Sequence, residues 1–254
     1  MVLVLCSAHG APGVTTTALA LVRAWAAARA GRRVLLVDAD PAGSDLTAGP
    51  LLATPVEDLG LLSLVMGRGQ ITAEAVVHAS VALDEDAARM VLPGASDTRQ
   101  SRSLSEMWPG LGAALQDLSD RGVDVVVDAG RLGHRHEPTA LLSAADVVAV
   151  VFTPDVPAQL HATAAARALI GLRPGRAAPV GVLVGTTGTG ADTIAAAMGL
   201  TAVVPIAHDA RTARDLATGT VHGRWADRSA LLRSATALAR RIEVWAPTPA
   251  GARS

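Results

Sequence analysis

The 254-residue sequence predicts an α/β fold, a doubly wound, mostly parallel sheet with helices on both faces. Three observations predict it. Short apolar runs recur along the chain and are continuous rather than alternating, which marks strands buried on both faces. Helical patterns separate these runs, so the crossovers are right-handed and cover the sheet. Half of the residues are hydrophobic and 18% are charged, which suits one substantial core and excludes wholesale disorder.

Residues 2–6 are the first strand, closed by a glycine- and proline-containing loop over 7–13. A helix over 15–30 carries Trp25 on its apolar side, and Gly31 stops it. The strand over 34–37 ends at Asp38. Further strands are expected at 90–92, 123–127, 147–152, 180–184 and 202–204. Helices are expected at 61–66, 111–121, 138–145, 158–170 and 191–198. A last amphipathic helix over 227–244, with Leu231, Leu232, Leu238 and Ile242 apolar, is expected to pack on the sheet. No repeat, linker or composition shift divides the chain, so residues 1–245 read as one domain and 246–254 as a disordered tail. In such sheets ligands bind beyond the carboxyl ends of the strands. Site residues are therefore sought in 7–16, 38–45, 93–103, 128–137, 153–157, 185–190 and 205–211.

Several classes are excluded. The single cysteine, Cys6, allows neither a disulfide framework nor a zinc site built on several thiolates, and it reads as a small buried residue. No apolar run approaches the ~18 residues of a membrane span, and residues 1–6 are too short for a signal peptide, so the expectation is a cytoplasmic protein. The sequence has no Lys, Asn or Tyr, and all 22 cationic side chains are Arg.

The segment from Val2 to Thr16 is strand, glycine loop, helix, the setting in which backbone N–H groups and a helix N-terminus hold phosphates. A lysine before Thr15 would mark a phosphate loop, but Val14 stands there. Laid on the pattern K-G-G-x-G-K-T-T, the chain resembles the ParA/MinD family of P-loop ATPases. His9 replaces the signature lysine and Val14 the phosphate-binding lysine, while Gly10, Gly13, Thr15 and Thr16 match. The stretch from Gly31 through Asp38 and Asp40 to Ser44 is similar to the family's second motif. The strand ending in Asp128 is similar to its Walker B strand, and 147–157 and 203–210 to its later strands.

The resemblance implies a nucleotide site at His9, Gly10, Gly13, Val14, Thr15 and Thr16. It implies Mg²⁺ held by Thr15, Asp38 and Asp128, with Asp40 positioning water if the protein is active. Such proteins commonly read adenine with an asparagine after a later strand, here 184–188, where none exists. A charge-assisted bond to phosphate contributes ~1.5–3 kcal/mol, so losing both lysines weakens ATP binding by roughly 10²–10⁴-fold. A GC-rich coding bias accounts for the missing residue types but not for Val14, since arginine was kept at 22 other places. The site therefore reads as that of a pseudo-ATPase acting in spatial positioning at a septum, chromosome, pilus or secretion machine. Its expected partners are a second copy, forming a nucleotide-independent homodimer, and proteins of the positioned machinery; Leu104, Met107 and Trp108 are candidates for the dimer contact, against the equal alternative that Trp108 packs its own helix onto the sheet. Alternatively, His9, Arg131 or a partner's arginine supplies the missing charge in an active ATP-dependent switch.

Charge supplies a third reading. Residues 207–254 hold 8 Arg and 4 acids, whereas the rest of the chain is net acidic. Arg211, Arg214, Arg224 and Arg228 are candidates for non-specific DNA binding by a partition factor, against the alternative of a solvated surface. His134, His136 and Glu137 match no common zinc spacing and read as a solvated loop.

Overall fold

The structure is a computed structural model that describes all residues except 44, 53, 55, 57, 58, 68, 98, 186–189, 222–227 and 246–254. The expected tail and the candidate Arg224 lie outside the described residues, as do residues 186–188 of the expected adenine segment.

Eight strands among the described residues form one sheet: β1 Val2–Ser7, β2 Arg33–Asp38, β3 Val81–Ala82, β4 Arg89–Leu92, β5 Val123–Arg131, β6 Val147–Phe152, β7 Val180–Val184 and β8 Val203–Ile206. Their order is β3, β4, β2, β5, β1, β6, β7, β8, and every pairing is parallel except β3 with β4. The chain thus starts at the sheet's centre and winds outward in both directions, confirming the doubly wound fold.

The helices are α1 Val14–Ala28, α2 Leu61–Met66, α3 Ala73–His78, α4 Ser101–Leu104, α5 Trp108–Asp120, α6 Thr139–Ala144, α7 Val156–Leu172, α8 Ala191–Met198, α9 Ala210–Ala217 and α10 Ala230–Trp245. Alternate strand residues feed two separate cores. Leu3 and Leu5 pack with Trp25 of α1 and Leu238 and Ile242 of α10, whereas Val4 and Cys6 pack with Leu115 of α5 and Ala162 of α7. Because both faces are covered, strands read as unbroken apolar runs.

Elements that differ from expectation have local causes. Two residues of β3 are too few to show a pattern. Helix α9 is mostly polar, so only its cap announces it: Asp209 Oδ1 accepts from the Thr212 N–H at 3.1 Å. Thr72 caps α3 in the same way through the Ala75 N–H at 3.2 Å. Helix α1 ends two residues earlier than expected, and Gly31 at φ 78° turns the chain toward β2.

Of the two readings of the segment around Trp108, the structure supports self-packing over a dimer contact. Leu104, Met107 and Trp108 are 2%, 8% and 3% exposed and belong to the core beneath α5. Their apolar bulk packs this chain's own helix and offers no face to a second copy.

Candidate functional site

The site lies beyond the carboxyl ends of the central strands. After β1 the chain turns through Gly10 and Gly13, both in the left-handed region (φ 61° and 100°), and enters α1 with Gly13 as its N-cap residue. A side chain at either glycine would be strained, so the loop keeps its shape through these two positions. Pro12 removes one N–H donor from it.

Three aspartates lie at the same end of the sheet as this loop. Asp38 closes β2 and pairs in register with Asp128 of β5. Asp128 is 1% exposed, accepts from the Thr15 hydroxyl at 2.6 Å through Oδ2, and from the Gly130 N–H at 2.9 Å through Oδ1. Burial pushes its carboxyl up to about 6; the two hydrogen bonds oppose the shift, and the charge of Asp40 adds to it. Asp40 is also raised, first by burial, with the Ala42 N–H, His134 and Arg131 pulling the other way. Asp38 Oδ1 lies 3.3 Å from the Asp40 N–H, close enough for a long hydrogen bond. The backbone is fitted closely around these groups. A Cβ on Gly130, itself at φ 63°, would sit 2.2 Å from Asp40 Cγ, and one on Gly94 would sit 2.6 Å from the Asp38 carbonyl oxygen.

The two cation positions of the sequence pattern look different. Val14 is 7% exposed and belongs to the core shared by α1 and α10. His9 is exposed, and its ring stacks on His161 of α7 with centroids 4.5 Å apart and 5° between planes. The side chain at position 9 thus lies against its own α7.

Beside the loop is a cavity of about 210 Å³, lined by Pro12, Gly13 and Thr16 on one side and by Val184, His208 and Asp209 on the other. Asp209 and His208 were not among the expected site residues. The cap signal at Asp209, in a loop already expected to face ligand, is the feature that points to them.

The remaining candidates separate. Arg211 and Arg214 are exposed on α9, and Arg228 is exposed before α10. Other arginines of this basic end serve the fold: Arg240 Nη2 donates to the Ala27 carbonyl at 3.4 Å, and Arg241 lies over the Trp245 ring at 5.5 Å. Around 134–137, His136 Nδ1 bonds the Ser105 hydroxyl at 3.0 Å and Glu137 accepts from the Gly133 N–H at 2.7 Å. No metal-holding group of three His, Cys, Asp or Glu occurs among the described residues. Cys6 is fully buried, and burial pushes its thiol up to about 12, so it is no nucleophile at neutral pH. No helix among the described residues is long and apolar enough to cross a membrane.

No protein-family model and no curated protein matches the sequence. Solved structures do match the fold. MinD, a cell division ATPase of Pyrococcus furiosus, superposes with a TM-score of 0.74 at 20% identity, covering 96% of this chain and 99% of that one. The septum site-determining protein MinD of Pyrococcus horikoshii, solved with Mg-ADP, gives 0.74 at 17% identity over 97% and 99%. McdA of Cyanothece, solved as an ATP complex of a D38A variant, gives 0.68 at 19% identity over 96% of each chain. The fold is thus that of the MinD and ParA ATPases.

Proposed function

We propose that this chain is a ParA/MinD-like positioning protein whose nucleotide site is degenerate, a pseudo-ATPase that organises a septum, chromosome, pilus or secretion machine. Residues 1–245 act as one domain, and the working form is a homodimer that persists without nucleotide and recruits protein partners. The supporting observation is a contrast within one site. The loop glycines and the Thr15–Asp128 bond keep the form of a phosphate and metal site, while the two positions meant for cations hold a buried valine and a histidine stacked on its own helix.

The residues fit a nucleotide only in part. Gly10, Gly13 and Thr16 would face phosphates and the cavity beside Pro12 would take the base. Thr15, Asp38 and Asp128 would hold Mg²⁺, which would neutralise phosphate charge. Asp40 would orient water in an active protein. Positions 9 and 14 supply no fixed cation to the phosphates, and electrostatic stabilisation of this kind dominates phosphoryl transfer.

A second reading, an active switch with borrowed charge, draws on Arg131, whose charge reaches Asp40. The two readings separate in one experiment. Val14→Lys is expected to tighten Mg-ATP binding by ~1.5–3 kcal/mol, one charged hydrogen bond, measured by calorimetry. No gain, together with a loss of binding in Arg131→Ala, would replace the degenerate site with the borrowed-charge switch.

A further inference from the structure

A second, larger cavity lies at the opposite end of the sheet from the glycine loop. It measures about 560 Å³ and sits between α5, α6 and the end of α7, close to where β6 and β7 begin. Pro109, Ala113 and Ala140 give it apolar walls, and Ser143, Arg173 and Arg176 supply its polar groups. It is an open depression rather than an enclosed pocket, with Pro109, Ala113 and Arg176 exposed along it.

The charges around it do not balance. Arg173 is 3% exposed, and its Nη2 donates to the Ala145 carbonyl at 2.8 Å and the Asp146 carbonyl at 3.3 Å. Its Nη1 donates to the Ala177 carbonyl at 3.3 Å. Its Nε is buried without a hydrogen-bond partner, and among the described residues no carboxylate lies within 4.0 Å of the guanidinium. Arg176 shares the Ala145 carbonyl at 3.3 Å, and Asp146 lies 3.8 Å from its Nη1 through Oδ1. The other oxygen of Asp146 already accepts from the Val2 N–H at 2.8 Å. Of the two guanidiniums, Arg176 alone therefore reaches a carboxylate among the described residues, and that carboxylate is already occupied. Burial and then the charge of Arg176 lower the pKa of Arg173, the strain expected of paired cations short of an anion.

We propose that this cavity binds a small monocarboxylate with an apolar body, its head on Arg176 and Ser143 and its hydrocarbon against Pro109, Ala113 and Ala140. Arg176 is 41% exposed and retains N–H groups beyond its carbonyl bond, so it suits a planar, singly charged carboxylate. Arg173, already spent on three carbonyls, adds long-range charge rather than contacts. A phosphate dianion would need more donors than one arginine and one hydroxyl. The inference does not rest on the nucleotide reading, because the two cavities share no lining residue.

The test is calorimetric titration of the full chain with octanoate, acetate and inorganic phosphate. Octanoate is expected to bind once per chain and at least tenfold tighter than acetate or phosphate. Arg176→Ala and Ala113→Phe are each expected to weaken octanoate at least tenfold. Ala113 is exposed on α5, so its larger replacement fills the cavity without entering the core, and it carries the test if Arg176→Ala fails to fold. Absence of octanoate binding would overturn the proposal. So would equal binding of acetate or phosphate, or octanoate binding that survives Ala113→Phe.

Discussion

Asp124 and Asp128 lie on the same strand, both buried, and the two ends of β5 treat them in opposite ways. At the amino end, Asp124 receives Arg29 Nε at 2.8 Å, Arg32 Nη2 at 2.7 Å and Trp25 Nε1 at 3.1 Å, with the Met1 amino nitrogen also at 3.1 Å. Burial raises its carboxyl, but Arg32, the Met1 amino group, Arg29 and Trp25 together outweigh burial and hold it below the usual range. At the carboxyl end, the partners of Asp128 among the described residues are a hydroxyl and an N–H, and burial wins. The first aspartate is a closed structural junction. The second is a buried carboxyl with no salt-bridge partner among the described residues, beside a glycine loop, the imbalance from which the proposed ligand site is argued.

Breaking the closed end has the largest expected effect. Asp124→Ala would strand Arg29 and the Trp25 N–H in a largely buried setting and is expected to destabilise the fold by about 3–5 kcal/mol, read from chemical denaturation. A loss below 1 kcal/mol would mean that the arginines escape to water and that the junction contributes little.

The open end should respond with the opposite sign. Asp128→Asn keeps an acceptor for Gly130 and a partner for Thr15 while removing the buried charge. It is expected to stabilise the protein by about 1–3 kcal/mol at neutral pH. The pH dependence follows from the raised carboxyl. Between the ordinary value of 3.8 and about 6 the folded state holds the proton that the unfolded state has lost, so stability falls as pH rises through that window. The penalty is complete above pH 6 or so and absent below 3.8, so the advantage of Asp128→Asn should vanish in acid. Asp124, with its lowered carboxyl, contributes stability above the ordinary value that is lost as pH falls through its folded value. A stability gain in Asp128→Asn that is flat with pH would contradict this account of the open end.

A change of similar size sharpens how tightly that end is built. Gly130→Ala combines a left-handed backbone with a Cβ that overlaps Asp40, so a loss of about 1–3 kcal/mol is expected. An unchanged melting temperature would mean that the Asp40 side chain moves aside freely.

The sequence shows the open end better than the closed one, for physical reasons. Glycine at fixed places between a strand and a helix, and aspartates at strand ends, leave local traces, so Gly10, Gly13, Asp38, Asp40 and Asp128 were legible. The core strands were legible because burial on both faces leaves nothing but apolar residues. Asp124 reads as part of the apolar run from Val123 to Val127, because the partners that make it a junction come from α1, the turn after it and Met1. The His9–His161 stack joins residues far apart in the chain, and no local pattern predicts it. Leu104, Met107 and Trp108 left an interface and self-packing equally open, because apolar bulk in a loop-like segment looks the same whether its partner is a second copy or the chain's own sheet. Helix α9 was overlooked because a mostly polar helix lacks an apolar face broad enough to read.

The central claim is that the open end keeps the form of a phosphate site without its charges. Calorimetric titration of the wild-type protein with ATP and Mg²⁺ tests it most directly. The account predicts binding no tighter than the millimolar range; micromolar affinity would contradict it, because the loop would then be holding phosphates with charge that His9 and Val14 do not supply.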